Sequence, residues 1–322
     1  MRIMVTGGAG FMGSNFIRLI VDKYPQHQII NYDKLTYAAD LRNLDGIKRN
    51  KNYKFVKGDV CNFKFLVKFL KDVDCVVHLA AESHVDNSIG NSLIFTTSNT
   101  YGTHVLLETA RLNNIRKFLH VSTDEVYGDI KKGSFKESSG LSPNNPYSAS
   151  KAGAEMIARS YRKTYRMPIT IVRGNNVFGP CQYPEKIIPK FITKILEGEK
   201  VPLHGNGSNI RTYIFIEDFV NSIDLVFNKG KIGEVYNIGT SDEISNLELA
   251  RLILKKLGKD DSYIDFVEDR PFNDKRYSIS TAKIRKLGWR QKYSFEEGLN
   301  KTIKWYKDNR WWWRNKINKK VI

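Results

Sequence analysis

The chain has 322 residues, of which 41% are hydrophobic and 27% are charged, and its formal net charge is +18. This length suffices for one large or two modest domains, and the composition is that of an ordinary globular protein. No run of about 18 apolar residues occurs, which argues against a membrane-spanning helix. The cysteines (Cys61, Cys75 and Cys181) are odd in number and form no CxxC pair, so we expect a reducing, cytoplasmic setting.

The positive charge could indicate a partner rich in phosphates, such as nucleic acid or a membrane surface. The lysines are scattered, however, in short clusters such as KRNKNYK at 48–54, without a long basic arm or a basic–aromatic repeat. We therefore interpret the charge as a lysine-rich surface and expect neither a nucleic-acid nor a membrane partner. A positive field would still attract a small anionic substrate.

Apolar runs of strand length alternate with helical stretches along the first half of the chain. Strands are predicted at 2–6, 28–33, 53–60, 75–81, 117–123 and 169–179, and helices after the first strand and at 63–73, 99–114 and 151–165. This alternation predicts an α/β fold with a doubly wound parallel Rossmann sheet. Turns become more frequent after about residue 176, which predicts a smaller α/β domain. We expect the first domain at 1–175 plus about 211–239, and the second at about 176–210 plus 240–322.

A glycine-rich loop follows the first predicted strand and opens a helix. It contains both Gly8-x-Gly10-x-x-Gly13 and Gly7-x-x-Gly10-x-x-Gly13, and Asp33 lies 20 residues past Gly13 at the end of the second strand. In dinucleotide-binding folds such glycines approach the pyrophosphate, and such an acid binds the adenosine ribose hydroxyls. Because Asp33 would repel a 2′-phosphate, the pattern predicts NAD rather than NADP. The alternative is a glycine-rich turn with a surface aspartate.

The segment YSASK places Tyr147 and Lys151 four residues apart at the start of a helix, so that both point to one face. The positive charge of Lys151 can lower the pKa of the Tyr147 phenol. A phenolate stabilised in this way can take a proton from a sugar hydroxyl. The spacing is common by chance on exposed helices, but its position after a fifth parallel strand ending in STDE favours a catalytic pair.

Nine segments carry a resemblance to a known family through most of the chain: VTGGAGFMGSNF, DKLTYA, HLAAESHVDNSI, STDEVYG, NPYSASKAGAE, GPCQYPEKIIPKFI, YNIGT, DRPFNDKRY and LGW. In them the chain resembles the extended short-chain dehydrogenases/reductases and, within these, the nucleoside-diphosphate-glucose 4,6-dehydratases of the dTDP-glucose type. The resemblance implies NAD as the cofactor, a small-molecule sugar nucleotide as the substrate, and no metal. It also implies a place in the synthesis of deoxysugars such as rhamnose, with the sugar nucleotide held by the second domain.

The oligomer is a further expectation. The helices at 99–114 and 151–165 carry apolar residues beyond one face, including Val105, Leu106, Leu107, Met156 and Ile157. In the family that the chain resembles, these helices pair across a two-fold axis. The resemblance therefore implies a homodimer formed through a four-helix bundle.

Two adjacent acids, Asp124 and Glu125, follow the strand at 117–123. The resemblance implies that Tyr147 takes a proton as C4 of glucose is oxidised, with Thr123 orienting the C4 oxygen and Lys151 beside the tyrosine. Glu125 would then remove the C5 proton, and Asp124 would protonate the departing C6 hydroxyl. Elimination needs a base and an acid at neighbouring carbons, which two carboxyls in different protonation states can supply. The alternative is that both acids only cap a loop.

The resemblance also implies which residues contact the two ligands. For the cofactor these are Gly7, Gly10, Phe11, Met12, Gly13, Asp33, Lys34, Leu35, Thr36, Asp59, Val60, Leu79, Ala80, Ala81, Ser83, Ser98, Tyr147 and Lys151. For the sugar nucleotide these are Ser83, Thr123, Asn176, Lys186, Ile187, Pro202, His204, Arg211, Asn237, Arg270 and Asn273. His204, Phe272 and Asn273 depart from the Tyr, Gly and His of bacterial members, which leaves recognition of thymine or uracil open.

Dehydration of dTDP-glucose is the favoured activity, and the same reaction on UDP-glucose is the alternative. A 4-epimerase or a decarboxylase is a weaker alternative, because these relatives generally carry a small or hydroxyl residue at the position of Asp124. A non-catalytic NAD sensor or a nucleic-acid-binding protein would not need Thr123, Tyr147 and Lys151. The tryptophans of NRWWWRNK at 309–316 match no segment of the family, and we interpret them as packing, with a dimer or domain contact as the alternative.

Overall fold

The computed structural model describes residues 1–317. Its strands are β1 (Arg2–Thr6), β2 (Gln28–Asp33), β3 (Tyr53–Lys57), β4 (Cys75–His78), β5 (Lys117–Thr123), β6 (Ile169–Gly174), β7 (Asn176–Phe178), β8 (Val201–His204), β9 (Ile210–Phe215), β10 (Val235–Ile238), β11 (Glu243–Ser245) and β12 (Ile264–Val267). Seven strands form one parallel sheet in the order β10-β6-β5-β4-β1-β2-β3. The prediction of a doubly wound parallel sheet is confirmed.

The α-helices are α1 (Phe11–Lys23), α2 (Phe63–Phe69), α3 (Val85–Gly90), α4 (Ser92–Phe95), α5 (Gly102–Leu112), α6 (Pro146–Tyr165), α7 (Ile187–Leu196), α8 (Ile216–Lys229), α9 (Asn246–Lys256), α10 (Ala282–Lys286), α11 (Phe295–Asp308) and α12 (Arg310–Ile317). A π-helical turn, Thr96–Tyr101, leads into α5, and a 3-10 turn, Asp124–Tyr127, follows β5. Within residues 1–317, none of the helices combines the length and apolar character needed to cross a bilayer.

Two apolar layers cover the two faces of the large sheet. Along β1, Ile3 and Val5 point into the layer that contains α1 and α8, whereas Met4 points into the layer that contains α2, α5 and α6. Parallel sheets are buried on both faces, and the inner strands β1, β4, β5 and β6 are accordingly buried along nearly their whole length. Strand β1 lies inside the sheet between β2 and β4: the chain runs outward from β1 through β2 to β3, and then crosses to β4 on the other side of β1. A crevice opens at the carboxyl ends of the strands at such a reversal.

The remaining strands form two small sheets beside these carboxyl ends. Strands β11, β9 and β7 form one, and β12 pairs with β8 in the other. The sequence predicted one strand over 169–179, but the chain divides it at Asn175, whose backbone N–H donates to the carbonyl of Ile238. Helix α8 and strand β10 return to the large sheet, whereas β9 lies in a small one. The division into two domains stays a prediction.

A buried ion pair ties α6 to the large sheet. Nε of Arg173 in β6 lies 3.0 Å from Oε2 of Glu155 in α6, and both side chains are fully buried. The guanidinium also stacks over the ring of Tyr127, 4.4 Å from its centroid. Since an unpaired charge in this position would be costly, the pair fixes α6 against β6. Helix α6 carries Tyr147 and Lys151, so this contact also positions the site.

Candidate active site

One large cleft lies at the carboxyl ends of β1, β2, β4 and β5, and the smaller sheets close its other side. Its wall includes the glycine loop, Asp33, Tyr147 and, from the later part of the chain, Arg211 and Arg270. Within residues 1–317, no group of three or more His, Cys, Asp or Glu side chains is arranged to hold a metal ion. The cleft wall includes residues that the sequence predicted to contact the cofactor and the substrate.

The glycine loop is too tight for side chains. Gly7 has φ +69°, and a Cβ there would lie 2.7 Å from Cα of Ala80. A Cβ on Gly13 would lie 2.1 Å from the carbonyl oxygen of Gly7. The loop leads directly into α1 at Phe11, and the first N–H groups of a helix have no partner within it. The loop thus forms a cradle in which an anion such as a pyrophosphate can approach the backbone.

Asp33 ends β2 beside this cradle. Its Oδ2 accepts the backbone N–H of Ala9 at 2.9 Å, and its Oδ1 accepts that of Leu35 at 2.7 Å. Burial raises the pKa of the carboxyl, although both hydrogen bonds act in the opposite direction. Each carboxylate oxygen has a second lone pair. Asp33 can therefore hold the loop and still accept hydrogen bonds from a ribose.

Thr123 and Tyr147 come from two elements that meet in the cleft. Thr123 is the last residue of β5 and caps the following 3-10 turn, its Oγ1 lying 3.3 Å from the backbone nitrogen of Glu125. Tyr147 lies in the first turn of α6, which starts with Pro146 after the capping residue Asn145. The amide of Asn145 also lies 3.4 Å from Oε2 of Glu125. The start of α6 is thus joined to the acidic turn.

Lys151 contacts the sheet, because its Nζ donates to the carbonyl of Val121 at 2.7 Å. Burial lowers the pKa of Lys151 to about 8. The expectation that Lys151 lowers the pKa of Tyr147 is not met here: burial, followed by the negative charge of Glu125, raises that pKa above its usual value. Among the groups around the phenol, the hydroxyl of Thr123 acts to lower the pKa. A positive charge bound close to the phenol would act in the same direction as Thr123 and favour the phenolate.

Asp124 and Glu125 differ in position although they are neighbours in sequence. Glu125 lines the cleft, whereas Asp124 is 2% exposed and lies behind the wall. Burial, followed by the charge of Glu125, raises the pKa of Asp124 to about 7. Burial also raises the pKa of Glu125, but the positive charges of Lys186 and Arg211 oppose this shift. The two carboxyls therefore have the different environments that an acid and a base require.

Three cationic side chains, Lys186, Arg211 and Arg270, line the cleft. Arg211 donates to the carbonyl of Asp274 at 2.8 Å, Lys186 donates to the carbonyl of Ser83, and all three cations line the wall. Arg270 pairs with both carboxylate oxygens of Asp86 in α3, at 2.6 and 3.0 Å. Guanidinium and ammonium groups bind phosphates through charge-assisted hydrogen bonds. This wall is suited to a diphosphate.

Comparison with known proteins identifies the family. The family model described as GDP-mannose 4,6 dehydratase matches residues 4–302. The chain belongs to this dehydratase family. A trifunctional UDP-glucose 4,6-dehydratase/3,5-epimerase/reductase of Arabidopsis thaliana is 48% identical over 97% of the chain, which spans 48% of that longer relative. The dTDP-D-glucose 4,6-dehydratase of Homo sapiens is 46% identical over 98% of the chain and 92% of its own length.

Solved structures of dehydratases are also similar. A dTDP-glucose 4,6-dehydratase from Streptomyces venezuelae with NAD and TYD bound has a TM-score of 0.96 and 45% identity, covering 98% of this chain and 99% of its own. A dTDP-glucose 4,6-dehydratase from Bacillus anthracis in complex with NAD has a TM-score of 0.92 and 44% identity, covering 98% and 99%. The resemblance to 4,6-dehydratases that the motifs indicated is confirmed.

Most of the sequence-predicted site residues lie together on the wall of the cleft. Those that do are Gly7, Gly10, Phe11, Met12, Gly13, Asp33, Lys34, Thr36, Asp59, Val60, Leu79, Ala80, Ala81, Ser83, Ser98, Thr123, Glu125, Tyr147, Lys151, Asn176, Lys186, Ile187, Arg211, Arg270 and Asn273. Their individual roles stay predictions.

Five predicted residues lie off the wall: Leu35, Asp124, Pro202, His204 and Asn237. Asn237 is fully buried, where it accepts from the hydroxyl of Tyr127 at 2.8 Å and donates to two backbone carbonyls. Pro202 and His204 belong to β8, and the His204 ring contacts the carbonyl of Glu268 at 3.0 Å. Leu35 uses its backbone to hold Asp33. The structure thus gives Asn237 a structural contact in place of the predicted substrate contact.

Sequence reasoning missed several residues of the cleft, including Asn175, Glu185 and Asn246. Asn246 begins α9 directly after a capping box formed by Ser245 and Glu248. Glu185 accepts from the hydroxyl of Tyr37 at 2.9 Å, and burial raises its pKa to about 7. Two of these residues had a signal in the sequence. The S-x-x-E pattern at a helix start indicates the position of Asn246, and the acid of the YPEK segment is Glu185 itself.

Proposed function

We propose that this chain is an NAD-dependent hydro-lyase that converts a nucleoside-diphosphate-glucose to its 4-keto-6-deoxy derivative, with dTDP-glucose as the favoured substrate. The observation that carries the proposal is the shared wall of Thr123, Glu125 and Tyr147 beside the glycine cradle, with Asp124 directly behind it. An oxidation and an elimination can therefore act on one sugar without its release.

The residues of the cradle fit a dinucleotide. Side chains at Gly7 or Gly13 would clash with the backbone, and both glycines line the cleft, so a pyrophosphate there could approach the backbone of the loop closely. Phe11 and Met12 would bind it through their N–H groups, and Asp33 would accept the ribose hydroxyls. NAD held there would supply the acceptor for the C4 hydride and the donor of that hydride to C6, and its oxidised ring would place a positive charge near Tyr147, which favours the phenolate.

The side chains divide the proton transfers among them. Tyr147 takes the C4 hydroxyl proton while Thr123 holds that oxygen. The C4 ketone makes the C5 proton acidic, and Glu125 on the wall removes it. The C6–oxygen bond breaks as Asp124 provides a proton, so water leaves and a C5–C6 double bond remains. When the hydride is added at C6, Glu125 returns its proton to C5, which completes the 4-keto-6-deoxy sugar. Asp124 lies one layer back, 3.3 Å from the Thr123 hydroxyl, so its proton reaches C6 by a short movement of the side chain or through that hydroxyl.

Both dTDP-glucose and UDP-glucose suit the cationic wall, since Lys186, Arg211 and Arg270 would contact the diphosphate that the two substrates share. The Streptomyces structure with TYD bound supports dTDP-glucose, whereas the Arabidopsis relatives support UDP-glucose. The test compares turnover of the two by mass spectrometry, following loss of one water. An isomeric product, with the mass of the substrate but a different chromatographic retention, would instead support the epimerase alternative, and turnover of neither substrate would contradict the proposal.

We also propose a homodimer, because apolar side chains are exposed on one side of the large sheet. Leu93, Tyr101 and Met156 are 77%, 53% and 54% exposed, on α4, the π-helical turn and α6. The surface differs from the one expected from sequence. Val105, Leu106 and Leu107 are buried against the sheet, because α5 faces inward over most of its circumference. Pairing of α5 and α6 with a second copy stays a prediction.

A cytoplasmic location also stays a prediction. Cys61, Cys75 and Cys181 are all free thiols. Burial raises the pKa of Cys61 and Cys181 to about 11. Such thiols are poor nucleophiles at neutral pH, so we assign them no catalytic role.

A further inference from the structure

The C-terminal helix α12 contacts the loop that follows β2. Trp312 in α12 is 2% exposed, and its indole Nε1 donates to Oδ1 of Asn43 at 2.8 Å. Asn43 lies in a 3-10 turn, Leu41–Leu44, and is itself buried. The bond joins residues that are 269 positions apart in the chain. A buried indole N–H is costly without an acceptor, so the contact is specific rather than a general apolar one.

Asn43 continues this contact into the glycine loop. Its Nδ2 donates to the carbonyl of Ala9 at 3.1 Å, and the backbone N–H of Asp40 donates to the same carbonyl at 2.9 Å. The N–H of Ala9 in turn donates to Oδ2 of Asp33 at 2.9 Å. A continuous series of hydrogen bonds therefore runs from Trp312 through Asn43 and Ala9 to Asp33.

A second contact holds α12 to the same loop. Nζ of Lys316 lies 2.7 Å from Oδ2 of Asp40 and 3.1 Å from the centre of the Trp312 ring. Burial acts to raise the pKa of Asp40, but hydrogen bonds from Arg42 and Lys316 lower it to about 2. The residues just before Asp40, Ala38 and Ala39, line the cleft. Helix α12 thus holds the wall on the adenosine side of the cradle.

We propose that Trp312 is a positioning residue for the dinucleotide, acting through Asn43 to hold Ala9 and Asp33 in the geometry that binds NAD. The proposal rests on the NAD binding assigned under the proposed function. It gives Trp312, one of the tryptophans near the C-terminus, a role that the sequence did not reveal. It predicts that an indole N–H remote from the ligand contributes to the affinity for NAD.

The neighbouring Trp313 provides a matched control. It is fully buried in the same helix, and its indole Nε1 donates to the carbonyl of Tyr306 at 2.8 Å. That bond joins α12 to α11 and does not reach the glycine loop. Trp312→Phe and Trp313→Phe therefore remove the same chemical group from the same helix, and only the first removes a contact to the cradle.

The experiment measures NAD and dTDP affinities by calorimetric titration of the full chain after removal of bound NAD, together with thermal unfolding. Loss of one ordinary hydrogen bond corresponds to about a five-fold change in an equilibrium constant, which is the upper limit for a contact that acts on NAD only by preorganising the cradle. We expect Trp312→Phe to weaken NAD binding by more than about two-fold and up to about five-fold, and Trp313→Phe to leave it within about two-fold of wild type. Binding of dTDP should be unchanged in both.

A folded Trp312→Phe protein with wild-type NAD affinity would overturn the proposal, as would an equal loss in Trp313→Phe. If Trp312→Phe does not unfold cooperatively, Asn43→Asp decides by the same criterion, because it keeps an acceptor for Trp312 and loses the donor to Ala9. Wild-type protein that binds no NAD would overturn the proposed cofactor and this role together. If the wild-type protein binds NAD, and Trp312→Phe and Asn43→Asp bind it with the same affinity, only the positioning role of Trp312 would be overturned.

Discussion

Asn175 donates a hydrogen bond of 2.7 Å from its amide nitrogen to Oδ2 of Asp124. Its orientation is set at the other end, where its Oδ1 accepts the backbone N–H of Thr240 at 3.1 Å. A donor to a carboxylate favours the ionised form, so Asn175 opposes burial and the charge of Glu125, whose larger effects still leave the pKa of Asp124 raised to about 7. Asn175 thus favours the ionised form of Asp124, the proposed general acid, against the effects of burial and of Glu125.

The pH dependence of turnover should report this balance. A general acid must be protonated to act, so kcat should fall as the pH rises through about 7. Asn175→Ala removes a donor to the ionised form and should move this fall to higher pH. Asn228→Ala, which removes an amide donor to Asp224 away from the cleft, is the control. A fall that stays in place or moves to lower pH would count against Asp124 as the acid.

Stability should respond to the same carboxyl. The pKa of Asp124 is about 7 in the folded chain against 3.8 as the ordinary value, so the folded state binds more protons between these two pH values. Its contribution to stability is complete below the lower value and is lost as the pH rises through about 7. Asp124→Asn should therefore raise the melting temperature relative to wild type at about pH 8, and much less at about pH 4. An equal change in melting temperature at both pH values would contradict the raised pKa that is assigned to Asp124.

Variants of the two acids should separate the oxidation from the elimination. Glu125→Gln and Asp124→Asn should bind NAD and the sugar nucleotide and accumulate reduced cofactor, seen by its absorbance. Their dehydration rate should fall by roughly 10²–10⁴-fold, as is usual when a general acid or base is lost. Tyr147→Phe should instead block reduction of the cofactor itself. A folded Glu125→Gln protein that dehydrates at the wild-type rate would remove the basis for this mechanism.

Cofactor selection should depend on Asp33. Its carboxylate would repel the 2′-phosphate of NADP, so competitive titration should show strong preference for NAD. Asp33→Asn removes the negative charge and should reduce the preference for NAD over NADP. It should also weaken the binding of NAD, because one of the two oxygens that accept the N–H groups of Ala9 and Leu35 is lost. Equal or tighter binding of NADP by the wild-type chain is the result that would refute the assignment.

The proposed dimer can be tested at its most exposed apolar positions. Light scattering should show a homodimer at micromolar concentration, and Met156→Glu together with Leu93→Asp should convert it to a monomer, because buried unpaired charge is costly. Phe266→Glu is the control, since Phe266 is 59% exposed on β12, away from these helices. A wild-type monomer, or a dimer unaffected by both changes, would refute this surface.

The sequence by itself determined the parts of the protein that depend on short spacings. The loop from Gly7 to Gly13 and the distance to Asp33 specify a strand, a turn, a helix and a second strand end, so the fold class and the cofactor cradle could be predicted. Tyr147 and Lys151 lie one helical turn apart, so their common face followed from helix geometry alone. The large parallel sheet followed from the same local alternation.

Only the tertiary structure decided the contacts between distant segments. Asn175 and Asn237 both lie at or near the ends of adjacent strands, yet Asn175 reaches Asp124 whereas Asn237 is buried against Tyr127. Trp312 meets Asn43 across 269 positions. The different environments of Asp124 and Glu125 depend on which carboxyl lies behind the cleft wall and which faces Lys186 and Arg211. Spacing along the chain cannot specify these features, because each arises from burial and from side chains that meet only after the sheet and the C-terminal helices have packed.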